Sequence, residues 1–490
     1  MIQIKGQFDS PNKPPLSHFW EHTVGSGHAT LALRSDWQNQ LTIAHQDLGF
    51  KYVRFHGLLS DDMGTLICNQ EKFIFSFHNA DQIFDFLISI GMKPFVELSF
   101  MPTTLSSGGD IVFHYKSNIT PPKKIETWNL LIEKLVSHWV SRYGIKEVSS
   151  WFFEVWNEPN LKAFWTGSQY DYFQFYAATA RTIKKVHKKL KVGGPATAGN
   201  AWISEFMAFC KNENVPVDFI STHHYPTDAF GKEGDDTITQ LSQSTPSVLK
   251  AHAALAAQQA APLDVYYTEW STSSNPRDSL HDEPYAAAFI IKTVMEAQGL
   301  IKAYAYWAFS DIFEENYFPS IPFHGGFGLM NIHGIAKPAY RAYEILHSLE
   351  SQMIPLKGAS STVSAWAIRD HRSMTVLAVN FGLPKHPIQA EKVHFEFSNM
   401  PKIKHTKLRR IDQKNANAKG AWQKLGSPEY PTLSQVEKLK KASQLQEKTL
   451  TSRFSKGNLS FNLTVPPLGV AAATFTFARP RTKKGFRKKR

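Results

Sequence analysis

Two glutamates stand out by their setting and spacing. Glu158, in Trp156-Asn157-Glu158-Pro159-Asn160, and Glu269, in Thr268-Glu269-Trp270, each close a short run of aromatic and β-branched residues and lie 111 positions apart. Two carboxyl groups converging on one bond suit the hydrolysis of a glycosidic linkage. One must be protonated to help the leaving oxygen depart, and the other ionised to attack or stabilise the anomeric carbon. Trp156, Tyr225, Trp270 and Trp307 occupy comparable settings and suit the apolar faces of a sugar ring. For a single such glutamate, a buried ion pair with Arg54 is an equally good account; the whole set argues for a site. His223 and His224 raise the question of a metal. Neighbours on a strand face opposite ways, and neither an H-E-x-x-H pattern nor a cysteine cluster accompanies them. No metal and no cofactor is expected.

The elements that would carry these residues can be read from periodicity. Short β-rich runs at His18–Val24, Phe50–Phe55, Pro94–Phe100, Ser150–Trp156, Lys191–Gly194, Val217–His223, Asp264–Glu269 and Ala303–Phe309 alternate with amphipathic stretches such as Ile125–Tyr143 and Gln169–Leu190. Apolar residues at three- and four-residue spacing mark helices packed on a sheet. Eight such units predict an α/β fold, a (β/α)₈ TIM barrel over residues 16–350. In that fold chemistry sits at the C-terminal ends of the strands. Glu158 and Glu269 would end strands four and seven, which face each other across the barrel mouth. Arg54 and His56 share parity and would point into that mouth together.

After residue 350 the texture changes to short strands bounded by Pro, Gly and Asn, which predicts an antiparallel β-sandwich over 351–478. Residues 413–457, rich in Lys, Gln and Ser, read as a long mobile loop of that sandwich. Residues 1–15 read as an extension that pairs with the sandwich or lies along the barrel. Charge divides in the same way. Residues 1–350 hold 28 basic and 35 acidic side chains, and residues 351–490 hold 27 and 7. The whole-chain charge of +13 therefore says little about the barrel, whose acids Glu158, Glu269, Asp311, Glu314 and Glu315 suit a neutral sugar and a cationic transition state. Eight of the basic residues fall in the tail 479–490. Such a run can contact nucleic acid or another polyanion; a disordered solubilising tail is the favoured reading. Two cysteines, no apolar N-terminal run and no stretch of about 20 apolar residues point to a cytoplasmic protein without a membrane span. A homo-oligomer is compatible with these features.

The segment Phe153-Glu154-Val155-Trp156-Asn157-Glu158-Pro159-Asn160, followed by Tyr267-Thr268-Glu269, resembles glycoside hydrolase family 39. The likeness extends from about Trp20 to Leu349 and takes in Phe55-His56-Gly57-Leu58-Leu59-Ser60-Asp61-Asp62, Thr120-Pro121-Pro122-Lys123 and Val192-Gly193-Gly194-Pro195. It ends with Phe309-Ser310-Asp311-Ile312-Phe313-Glu314-Glu315 and Phe323-His324-Gly325-Gly326-Phe327-Gly328. It is closer to the family's bacterial β-xylosidases than to its α-L-iduronidases.

The resemblance implies a retaining double displacement with Glu158 as general acid/base and Glu269 as nucleophile. It implies that Asn157 binds the sugar 2-hydroxyl, which requires a bulge or kink because strand alternation would turn Asn157 away from Glu158. Arg54 would hold Glu269 ionised, and His56 would bind a ring hydroxyl. His223 and Tyr225 would share a face, Tyr225 donating to the nucleophile. Trp307 would floor the sugar site and precede a non-proline cis peptide. Glu314 and Glu315 match an acidic pair that binds sugar hydroxyls. Glu97 reads as a structural residue or a minor subsite group. His224 stands where a small residue is expected, which leaves the local pocket wall open. The implied substrate is a small oligosaccharide from whose non-reducing end a pentose, β-D-xylose first, is released. β-Glucosidase, β-galactosidase, α-L-arabinopyranosidase and iduronidase-like activities are the alternatives within the family. A non-catalytic carbohydrate-binding protein is the alternative outside it.

Overall fold

Eight parallel strands close into a barrel: Thr23–His28, Tyr52–His56, Lys93–Leu98, Phe152–Val155, Lys191–Ala198, Phe219–His224, Val265–Trp270 and Ala303–Tyr306. The structure, a computed structural model, describes residues 1–10, 15–70, 72–227, 236–315, 317–358 and 360–478. The basic tail at 479–490 lies outside the described residues. Among the described residues no helix is long and apolar enough to cross a membrane. The first strand differs from expectation: Phe19–Glu21 forms a 3₁₀ turn, and pairing begins only at Thr23.

Alternation builds the barrel interior in layers. Phe95, Phe152 and Phe219, joined by Tyr52 and Tyr266, fill the lower layer, with the Phe95 and Phe152 rings stacked 5.0 Å apart. Two positions further along the same strands stand Arg54, Glu97, Glu154, Ser221 and Thr268, all buried. The apolar plug thus gives way to a polar layer just beneath the mouth. Outside the barrel the helices bury one face each. Gln169–Val186 starts at a capping box in which the Ser168 and Asp171 side chains satisfy each other's backbone N–H groups. Its residues Tyr172, Phe173, Tyr176, Ala180 and Ile183 recur at helical spacing and are buried.

Two five-stranded sheets form the second unit. One runs in the order Leu356–Lys357, Ile2–Gln7, Glu391–Ser398, Asn458–Val465 and Ser452–Ser455; the other in the order Gln352–Ile354, Val363–Arg369, Ser373–Asn380, Val470–Phe477 and Ile403–Ile411. The N-terminal strand pairs in parallel with Glu391–Ser398 and contributes Ile4 to the core between the sheets, beside Val393, Phe395, Phe461 and Phe475.

Residues 413–457 are not one long loop. They hold two helices, Ala418–Lys424 and Leu433–Ala442, the second opened by a Thr432–Gln435 capping box. Ala418, Trp422, Val436 and Leu439 pack with Phe323 and Ile335 of the barrel. Each helix buries only two apolar residues, too few to register against a polar background, yet enough to seat the pair on the loop after the eighth strand.

That loop is fastened from beneath. Buried Lys337 pairs with Asp282 at 2.8 Å and Asp311 at 2.6 Å, and its ammonium donates to the Gly326 carbonyl at 2.9 Å. Asp311 in turn accepts from the Gly328 backbone N–H. Asp311 is therefore part of a structural clamp and not one of the acids at the mouth.

Candidate active site

The fourth strand departs from regular geometry as it reaches the mouth. Trp156 and Glu158 both take positive φ, 74° and 43°, conformations uncommon for residues with a Cβ. The kink allows Asn157 and Glu158 to contribute to one site although they are adjacent in sequence. The Glu158 N–H donates to the Ala196 carbonyl on the neighbouring strand, at 2.8 Å. On the opposite side the pairing of the seventh strand shifts between Tyr267 and Trp270, and Glu269 joins Thr268 on the inner side.

Oxygens of Glu158 and Glu269 and a ring nitrogen of His223 lie within 4.8 Å of one another. Carboxyl groups about 5–5.5 Å apart serve a covalent double displacement, whereas direct attack by water needs roughly 6.5–9.5 Å. The site falls on the short side of that divide. The same trio could reach one metal ion, as could His18, Glu21 and His347 at the other end of the barrel. In both groups the would-be ligands are engaged with each other. His223 Nδ1 stands 2.9 Å from Glu158 Oε1, and Glu21 Oε1 meets His18 Nδ1 at 2.5 Å and His347 Nδ1 at 2.8 Å.

Arg54 is the hub of the polar layer. Its Nε donates to Glu154 at 2.6 Å and its Nη2 to Asn157 Oδ1 at 2.9 Å; Nη2 also pairs with Glu97 at 2.8 Å. The contact to Glu269 is the longest, Nη1 to Oε2 at 3.4 Å. The Tyr225 hydroxyl donates to the other oxygen of Glu269. Two donors thus face Glu269, which favours its carboxylate form. Burial acts the other way and leaves its pKa above the usual value, with the Glu158 charge adding to the rise and the Arg54 charge partly offsetting it. Among the described residues no guanidinium contacts Glu158. Burial pushes its pKa up to about 7, against the pull of the His56 and Arg54 charges.

His56 leans on Glu97, Nδ1 to Oε2 at 2.8 Å, which leaves Nε2 turned toward Glu315 at 3.6 Å. Burial would raise Glu97, but the Arg54 and His56 charges outweigh it and hold its pKa down. Glu315 shows the reverse: burial, then the charges of Glu269 and Glu158, drive it well above the carboxylate range. Its Oε1 is buried without a hydrogen-bond partner among the described residues. Glu314 beside it is half-buried. Trp307 packs 4.7 Å from the His56 ring and is followed by a cis peptide to Ala308.

Of the four aromatic residues that the sequence suggests for a sugar face, Tyr225 and Trp307 lie at the site. Trp156 and Trp270 are fully buried in the layer between strands and helices, Trp156 beside Trp165 and Phe175, Trp270 stacked 4.0 Å from Tyr304. His224 points away as alternation requires, its ring 3.8 Å from Tyr267 and its Nε2 hydrogen-bonded to the Tyr304 hydroxyl. Its bulk therefore does not shape the pocket wall. Glu154 and Thr268 are members of the site that strand-end motifs do not reveal. Counting inward parity from Phe152 and Tyr266 would have found both.

An eight-stranded parallel barrel with paired glutamates at the ends of strands four and seven defines the (β/α)₈ glycoside hydrolases as the class. Within that class the chain belongs to the glycosyl hydrolases family 39, whose model matches residues 2–460. A β-xylosidase from Caldicellulosiruptor saccharolyticus is 47% identical over 94% of this chain and 95% of its own length. One from Geobacillus stearothermophilus is 36% identical over 86% of both. Among solved structures, a monomeric β-xylosidase from Caulobacter crescentus CB15 superposes with a TM-score of 0.86 at 33% identity, covering 97% of this chain and 100% of that one.

Proposed function

We propose that this family 39 enzyme is a retaining β-xylosidase that removes β-D-xylose from the non-reducing end of short xylo-oligosaccharides. The observation that carries the reading is the pair of buried glutamates within 4.8 Å in a chain 47% identical to a β-xylosidase. Glu158 gives its proton to the glycosidic oxygen while Glu269 attacks the anomeric carbon, and the bond to the leaving sugar breaks. A xylosyl ester on Glu269 results. Its formation removes the negative charge beside Glu158, and Glu158, left as a carboxylate by the first step, takes a proton from the water that releases xylose with its configuration retained. Asn157, hydrogen-bonded by Arg54, takes the sugar 2-hydroxyl in this reading. In the same reading Trp307, His56, Glu314 and Glu315 serve the remaining hydroxyls and the ring face, and Tyr225 and His223 brace the two carboxyls.

The pH dependence follows from the protonation that each carboxyl needs. Glu158 must carry its proton in the free enzyme, so kcat/KM should fall as pH rises through about 7. A profile flat to pH 9 would rule out Glu158 as the acid. The sugar is tested by rates on aryl β-D-xyloside, β-D-glucoside, β-D-galactoside and α-L-arabinopyranoside. The xyloside should lead both hexosides by at least about tenfold in kcat/KM, since one carbon more or less in a fitted pocket is worth about 10–200-fold. Preference for either hexoside would transfer the assignment to that sugar.

A further inference from the structure

A chain of hydrogen bonds runs beneath the two carboxyls and ends on Glu158. Arg54 Nε donates to Glu154 Oε2 at 2.6 Å, and the Thr268 hydroxyl donates to Glu154 Oε1 at 2.7 Å. His223 Nε2 lies 3.1 Å from the same Thr268 oxygen, and His223 Nδ1 lies 2.9 Å from Glu158 Oε1. All five side chains are buried.

The donors in this chain can be assigned by elimination. Glu154, ion-paired with Arg54, only accepts, so the single Thr268 proton is spent on it. The Thr268 oxygen can then only accept, and the proton facing it must sit on His223 Nε2. A neutral imidazole has one N–H, so its Nδ1 is a bare lone pair. Burial keeps the ring neutral, pulling its pKa down to about 4. A lone pair 2.9 Å from Glu158 Oε1 demands a proton on the carboxyl.

We propose that Glu154 and Thr268 are positioning residues that fix the Nε2–H tautomer of His223, so that its Nδ1 accepts from and holds the acidic proton of Glu158. This rests on the assignment of Glu158 as the acid/base. The relay favours the protonated acid before the first step. After that proton has gone to the leaving oxygen, a lone pair faces a carboxylate, which strengthens Glu158 as the base toward water. His223 itself exchanges no proton.

Thr268→Val removes the acceptor for Nε2–H at nearly constant volume. The ring is then free to take the Nδ1–H form and donate to the Glu158 carboxylate, which lowers the pKa of Glu158. The other groups facing Glu158 are Arg54, His56, Glu97, Glu269, Tyr225 and Glu315; the substitution replaces none of them, and Glu154, which loses the Thr268 donor, keeps its pairing with Arg54. The upper limb of kcat/KM against pH should move down by about one pH unit in Thr268→Val, and Thr268→Ser should restore it. A loss of equal factor at every pH, with the limb in place, would overturn the relay and leave Thr268 a packing residue. Neutron diffraction from the wild-type enzyme at pH 5.5 gives a readout that needs no variant: deuterium on His223 Nε2 and on Glu158 is expected, and deuterium on Nδ1 overturns the proposal. The underlying assignment fails separately, through a Glu158→Gln variant that hydrolyses poor leaving groups at the wild-type rate.

Discussion

Glu269→Gln is expected to fold as the wild type does and to turn over an aryl β-D-xyloside more slowly by at least about 10⁴-fold. The substitution keeps the volume and an oxygen that can accept from the Tyr225 hydroxyl. It removes the anion that attacks the anomeric carbon, and an amide cannot form the xylosyl ester. Arg54 loses only its longest partner, at 3.4 Å, and keeps Glu154, Asn157 and Glu97, so the polar layer should stay intact. Circular dichroism and thermal melting separate this outcome from misfolding. Undiminished turnover would remove Glu269 from the chemistry.

Glu158→Gln should produce a loss that depends on the leaving group. Its role as acid matters most when the departing oxygen is a strong base. With xylobiose, kcat/KM should fall by about 10³–10⁴-fold, the upper range for a positioned proton donor. With 2,4-dinitrophenyl β-D-xyloside, whose phenolate departs unaided, formation of the xylosyl-enzyme should be affected far less. Its breakdown still lacks a base, so the variant should show a burst of phenolate followed by slow turnover. Azide, an anion that needs no deprotonation, should speed the slow phase and yield β-xylosyl azide. An equal loss on both substrates, without burst or azide effect, would make Glu158 a structural residue.

Much of this site was legible from the chain. The barrel follows from eight alternating units, and the two glutamates follow from their place at the ends of strands four and seven. The separation of His223 from His224 follows from the two-residue period of a strand. What sequence could not supply are the places where that period fails. Trp156 looks like a sugar platform at a strand end, but the positive φ values at Trp156 and Glu158 swing it into the helix layer and bring Asn157 and Glu158 to the mouth. Asp311 sits in the same motif as Glu314 and Glu315. Its partner Lys337, 26 positions later, is visible as such only once the chain has folded. Glu154 and Thr268 hide within strands because a polar interior layer breaks the expectation of an apolar barrel core. The two helices within 413–457 escape because each buries only two apolar residues, and these find Phe323 and Ile335 on a distant loop.

Local charge proves more informative than net charge. The basic excess belongs to the sandwich and the tail, while the mouth of the barrel gathers Glu158, Glu269 and Glu315 around Arg54. Burial spreads the proton affinities of these groups, so that chemically similar carboxyls can take different parts in one reaction.

If Glu158 and Glu269 act together through a covalent xylosyl-enzyme, the first sugar released keeps its configuration. Proton NMR of the xylose first released from an aryl β-D-xyloside, recorded before mutarotation, tests it most directly. β-Xylopyranose is expected as the first product; α-xylopyranose would mean inversion and rule out the covalent intermediate.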